Sequence, residues 1–170
     1  MSTSIADAYY LKALCNYPYG MEEATENLNY ALSYDENHAQ SNCLMGRLQM
    51  EILKNFDKAA FYFEQAIVND LQYVDTYKWF SLLKIWTGEF DKAEKIIDYG
   101  LKVKGMDKPM LYHRKALILE AQGYPLKALK LISFAMRCSL SDPYVTFFKN
   151  EISRIQDKRK AGKKHLKKFK

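Results

Sequence analysis

Apolar and small side chains recur along this chain at one fixed spacing. Counting from Ala93, Phe90 stands three residues before, Ile97 four after, Gly100 seven after and Leu101 eight after. The same offsets from Ala59 give Phe56, Phe63, Ala66 and Ile67. From Ala128 they give Pro125, Ile132, Ala135 and Met136, and from Ala24 they give Met21, Leu28, Ala31 and Leu32. The four alanines are 35, 34 and 35 residues apart. Offsets of 0, +4, +7 and +8 fall on one face of an α-helix. Small residues at the first and third of these let a second helix approach closely, and the large residue between fills the groove beside the contact.

Each anchor segment is preceded by another helical segment, so the repeating unit is a helical hairpin. A single hairpin cannot bury its own apolar face, whereas stacked hairpins form a continuous core. The pattern predicts an all-α protein, an α-solenoid of four helix-turn-helix repeats followed by a capping helix. The units span about 6–36, 37–71, 73–105 and 107–140. Within them the helices run Ala6 to Cys15 and Glu22 to Tyr34, His38 to Lys54 and Asp57 to Asn69, Tyr73 to Thr87 and Phe90 to Lys102, then Met110 to Gln122 and Pro125 to Arg137. Asn37 reads as an N-cap. Asn55, Gly88 and Gly123 mark turns, and Asp107 with Pro109 reads as a helix start. Ser141-Asp142-Pro143 opens a last helix from about 142 to Lys160, apolar on the side of Val145, Phe148, Ile152 and Ile155. It suits the cap that a terminal repeat needs. Residues 1–157 then form the folded body, and 158–170 a basic tail expected to be disordered.

Composition narrows the reading. Apolar residues make up 48% of the 170, enough for a core and too many for a disordered chain. The net charge of +6 is a property of the tail. Lys158, Arg159, Lys160, Lys163, Lys164, Lys167, Lys168 and Lys170 leave 18 basic against 20 acidic residues in positions 1–157, a net −2. Three widely separated cysteines, Cys15, Cys43 and Cys138, argue against a disulfide framework or a zinc site and suit a reducing compartment. The N-terminal residues lack the basic and apolar regions of a secretory signal, and no apolar run approaches a membrane span. The expected location is cytoplasmic, with no membrane association.

These residues resemble the tetratricopeptide repeat, a helix-turn-helix unit of about 34 residues with a W-x2-L-G-x2-Y first helix and an A-x3-F second helix. Unit three matches through Tyr77, Phe80, Gly88, Phe90, Ala93 and Ile97. Unit four matches through Tyr112, Ala116, Gly123, Ala128 and Ile132. Unit two matches through Met45, Gly46, Phe56, Ala59, Phe63 and Ala66, with one extra residue before its turn. Unit one is degenerate in its first helix, and the closing prolines Pro109 and Pro143 stand a few residues late.

The resemblance implies a protein-interaction module whose first helices line a concave groove for a peptide or helix of a partner. By position, Gln40, Cys43, Arg47 and Met50 would line that groove, followed by Lys78, Leu82, Ile85 and Trp86, then His113, Leu117 and Glu120. The mixture of cations with apolar side chains points to an acidic-apolar segment. The alternative site is the tail, whose lysines would hold RNA, a ribosome or an acidic complex by charge neutralisation. An exposed end of the stack leaves room for a homo-oligomer.

Catalysis has no motif behind it. His38, His113 and His165 lie in different elements, and H-E-x-x-H, phosphate-loop and nucleophile-elbow patterns are absent. The carboxylate pairs Glu22-Glu23 and Asp35-Glu36 sit at helix ends, where they act as caps and dipole partners. No enzyme activity, metal or cofactor is expected.

Overall fold

The computed structural model describes the backbone of residues 4–168 and the side chains through Ala161. Among the described residues it contains nine helices and no strand. The helices are α1 (Ile5–Asn16), α2 (Met21–Tyr34), α3 (Ala39–Glu51), α4 (Phe56–Asn69), α5 (Val74–Trp86), α6 (Phe90–Gly100), α7 (Lys108–Ala121), α8 (Pro125–Cys138) and α9 (Asp142–Lys168). The chain divides into two compact units, Met1–Gly105 and Met106–Lys170.

In the N-terminal unit α1 pairs with α2, α3 with α4 and α5 with α6, while α1, α3 and α5 follow one another as neighbours. The anchors Ala24, Ala59 and Ala93 have no solvent exposure, as the close-contact reading requires. One core cluster joins Ala13 and Leu28 to Leu44, Met45 and Leu48. A second gathers Met50, Ala59, Phe63, Ala66, Phe80 and Leu83. Fully burying each large side chain of this kind stabilises by about 1.5–3 kcal/mol.

Local capping differs from the sequence expectation at one place. The N-cap of α3 is His38 rather than Asn37. Asp35 explains the shift, because its carboxylate accepts the Asn37 backbone N–H at 3.0 Å. The chain is thereby held in a turn one residue longer. Asp70 does the same for Gln72 at 2.8 Å, one repeat later. The extra residue before the second turn is absorbed by Lys54, whose φ of 52° is left-handed.

The C-terminal unit is α7 paired with α8, and α8 packed against α9. Asp107 is the N-cap residue of α7, with Pro109 in the first turn, and α8 begins at Pro125. Ala128, Ile132 and Ala135 form a core with Phe148 and Ile155 of α9, all without exposure. The helix expected to stop near Lys160 continues to Lys168, so its backbone carries on through most of the segment read as a tail.

Candidate partner-binding surface

In the N-terminal unit, α1, α3 and α5 present a row of side chains organised around Arg47. Its guanidinium carbon lies 3.9 Å from the ring centre of Trp79 on α5 and 4.8 Å from that of Tyr17 at the end of α1. Arg47 Nη2 also donates to Glu51 at 3.4 Å, and Glu51 accepts the Tyr17 hydroxyl. Burial, reinforced by the bond to Glu51, pushes the Tyr17 phenol up, so it remains a neutral donor. Arg47 is thus sandwiched between rings from two helices while its head stays partly exposed. Its buried Nε has no hydrogen-bond partner. Cation–ring contacts of this sort contribute about 0.5–2 kcal/mol each.

Near this group the Tyr10 and Tyr73 hydroxyls meet at 3.3 Å, and Lys78 Nζ donates to Asp75 at 2.9 Å. Trp86 is 47% exposed, with its ring edge-on to Phe56 and Lys54 Nζ 5.4 Å from its centre. The remaining positions expected to line the groove divide clearly. Gln40 and Ile85 are half-buried. Met50, Leu82 and Cys43 belong to the core and do not face an open groove. Their apolar surface seals α3 against α4 and α5, which sequence spacing cannot distinguish from a groove wall. Burial pushes the Cys43 thiol up to about 12, leaving it unreactive.

In the C-terminal unit the expected positions are occupied by α9. His113 is 3% exposed. Its Nε2 lies 3.1 Å from Glu151, and its ring centre is 4.9 Å from that of Phe147. Glu120 accepts two bonds from Arg154, at 2.9 and 2.7 Å, and one from Lys158 at 2.8 Å. Those bonds hold the Glu120 carboxyl down at about 2. Arg154 also binds Glu151. His113 and Glu120 therefore fasten the cap helix instead of standing open, and Leu117 between them in the chain is half-buried.

Of the basic tail residues, Lys158 is paired with Glu120, and Lys160 with Asp157 at 3.3 Å. Arg159 is partly buried. The side chains of Lys163, Lys164, Lys167, Lys168 and Lys170 lie outside the described residues. Sequence reasoning missed Trp79, Tyr17 and Glu51 as members of this surface. The aromatic density of the third unit's first helix was the available signal for Trp79. Nothing local tied it to Tyr17, 62 residues earlier.

Among the described residues, no group of three His, Cys, Asp or Glu side chains is arranged to hold a metal ion. No described helix is long and apolar enough to cross a membrane.

No family model matches the chain, and no curated protein matches it. Solved structures do match. PilF of Pseudomonas aeruginosa superposes with a TM-score of 0.75 at 16% identity, covering 92% of this chain and 69% of that one. TTC0263, a thermophilic TPR protein of Thermus thermophilus, gives a TM-score of 0.68 at 17% identity, covering 89% and 81%. Identities this low speak to architecture alone, and the architecture agrees with the repeat read from the alanine spacing. The chain has the all-α solenoid fold of the tetratricopeptide-repeat proteins.

Proposed function

We propose that this chain is a non-enzymatic protein-interaction scaffold, and that the α1, α3 and α5 face of its N-terminal unit takes a peptide or helix of a partner protein. The observation that carries the reading is the Arg47 sandwich. A cation fixed between two rings and an acid has little freedom left to lose when it meets a partner carboxylate, which favours binding. Lys78 adds a second cation, and the half-exposed Trp86 offers the apolar contact that interface hot spots favour. An acidic segment with apolar anchors complements that set where its carboxylates displace Glu51 and Asp75, the acids that the two cations hold in the free protein. The three thiols, all unpaired, suit a reducing compartment, and we place the protein in the cytoplasm on that ground.

The test compares wild type with Arg47→Ala, Lys78→Glu and Trp86→Ala as baits in affinity purification followed by mass spectrometry. Partners recovered by wild type should fall by roughly fivefold or more with each variant, as loss of a hot-spot side chain implies, while the far-UV circular dichroism stays the same. Equal recovery by all four folded proteins would remove this face from the reading.

A further inference from the structure

The second helices of the hairpins differ in charge. Helix α2 carries Glu22, Glu23 and Glu26 with no Lys or Arg, and α4 and α6 mix both signs. Helix α8 carries Lys127, Lys130 and Arg137 and no acid at all. All three cations are exposed, and no described acid forms an ion pair with any of them. Lys130, Ser133 and Arg137 stand at i, i+3 and i+7, so they share one face. They line a shallow groove of about 470 Å³ along the helix.

Two aromatic rings flank these cations. Tyr124 is 51% exposed and Phe134 40% exposed. Lys127 Nζ lies 4.7 Å from the Tyr124 ring centre, and Phe134 is held edge-on by Tyr112 at 5.1 Å. The whole unit reinforces the local charge. Residues 106–161, those of the unit with described side chains, contain 11 Lys or Arg and 5 Asp or Glu, a net +6, whereas residues 1–105 contain 10 and 15, a net −5. A field of one sign over so short a stretch draws polyanions toward it.

We propose that the outer face of α8 is a binding site for single-stranded nucleic acid. Lys127, Lys130 and Arg137 contact phosphates, and Phe134 and Tyr124 offer surfaces on which bases stack. Cations alternating with exposed rings are what a strand of alternating phosphates and bases requires. An acidic peptide would need only the cations. This site is separate from the Arg47 face and from the lysines beyond Ala161, so it goes beyond the scaffold reading.

The test measures fluorescence anisotropy of a fluorescein-labelled oligouridylate of about 12 nucleotides, within the site size of a single-strand binder, with the full-length chain. Salt is varied from about 50 to about 200 mM KCl, the range over which phosphate contacts lose affinity steeply. Lys130→Gln/Arg137→Gln should weaken binding by about tenfold or more at the lowest salt, and should flatten the dependence of log K on log salt by about 1.4, since each phosphate contact to a single strand contributes about 0.7. Phe134→Ala should weaken binding by about fivefold or more without changing that slope. Replacing Lys163, Lys164, Lys167 and Lys168 together by Gln should leave the effect of the α8 double variant intact. An unchanged slope in the double variant, or binding lost entirely with the four distal lysines, would overturn the assignment. So would competition by polyglutamate as effective as that by unlabelled oligonucleotide, which would make an acidic protein segment the ligand.

Discussion

A β-carbon built on Gly46 of α3 would stand 2.9 Å from two ring carbons of Phe63 on α4. The ring has little room to retreat, because Phe63 has no exposure and packs on Phe80 with ring centres 5.6 Å apart. Gly46 is therefore a packing requirement, the point where the second hairpin closes on itself.

Gly46→Ala sets two effects against each other. Helix propensity favours alanine by about 1 kcal/mol. Overpacking a filled core costs about 1–3 kcal/mol. The overpacking should win, so Gly46→Ala lowers the urea midpoint, and Gly46→Val lowers it further. Ala93→Leu, at another fully buried contact, should do likewise. An unchanged midpoint in all three would show that the hairpins do not close as tightly as described.

Lys54 and Gly88 occupy the same turn position in successive hairpins, with φ of 52° and 76°. A residue with a Cβ is strained by about 1–2 kcal/mol in that region, and glycine carries no such strain. Lys54→Gly relieves that strain but gives up the contact of Lys54 Nζ with the Trp86 ring and adds freedom to the unfolded chain, so its net effect should stay within about 1 kcal/mol. Gly88→Ala, which meets no atom within 4 Å, should destabilise by about 1 kcal/mol through backbone strain alone. Equilibrium denaturation of the two single variants checks that Gly88→Ala is the more damaging.

The buried histidine gives unit Met106–Lys170 a pH dependence. Burial holds the His113 imidazole below its ordinary 6.5. Arg114 on its own helix and Arg154 from α9 act in the same direction, against the opposing bond to Glu151. The folded state thus prefers the neutral ring, and below 6.5 the unfolded chain binds more protons. His113's contribution is complete above about pH 6.5 and is lost as pH falls through its lower folded value. The carboxyls act further down. Burial tends to raise Glu151, but bonds from Arg154 and His113 outweigh it and hold it below 4.5. Between about pH 7 and about pH 5, wild type should lose stability faster than His113→Phe when melting is followed by circular dichroism. Parallel curves for the two proteins would assign the proton uptake elsewhere.

The sequence by itself determined the hairpins and their contact points. Ala24, Ala59, Ala93 and Ala128 could be read as buried because a 3.6-residue period and a small side chain are local properties, repeated often enough to exclude chance. The starts at Asp107 and Pro125 were legible for the same reason, since caps and prolines act within one turn. Tertiary structure alone decided which first-helix side chains face water. Met50 and Leu82 turn into the core, although they stand three residues after Arg47 and four after Lys78 at helical spacing, because several faces of a first helix are covered by neighbouring helices. It also decided that Arg47 sits between Tyr17 and Trp79, and that His113 and Glu120 fasten α9. Those partners lie 30 or more residues away in the chain, and only folding brings them within reach.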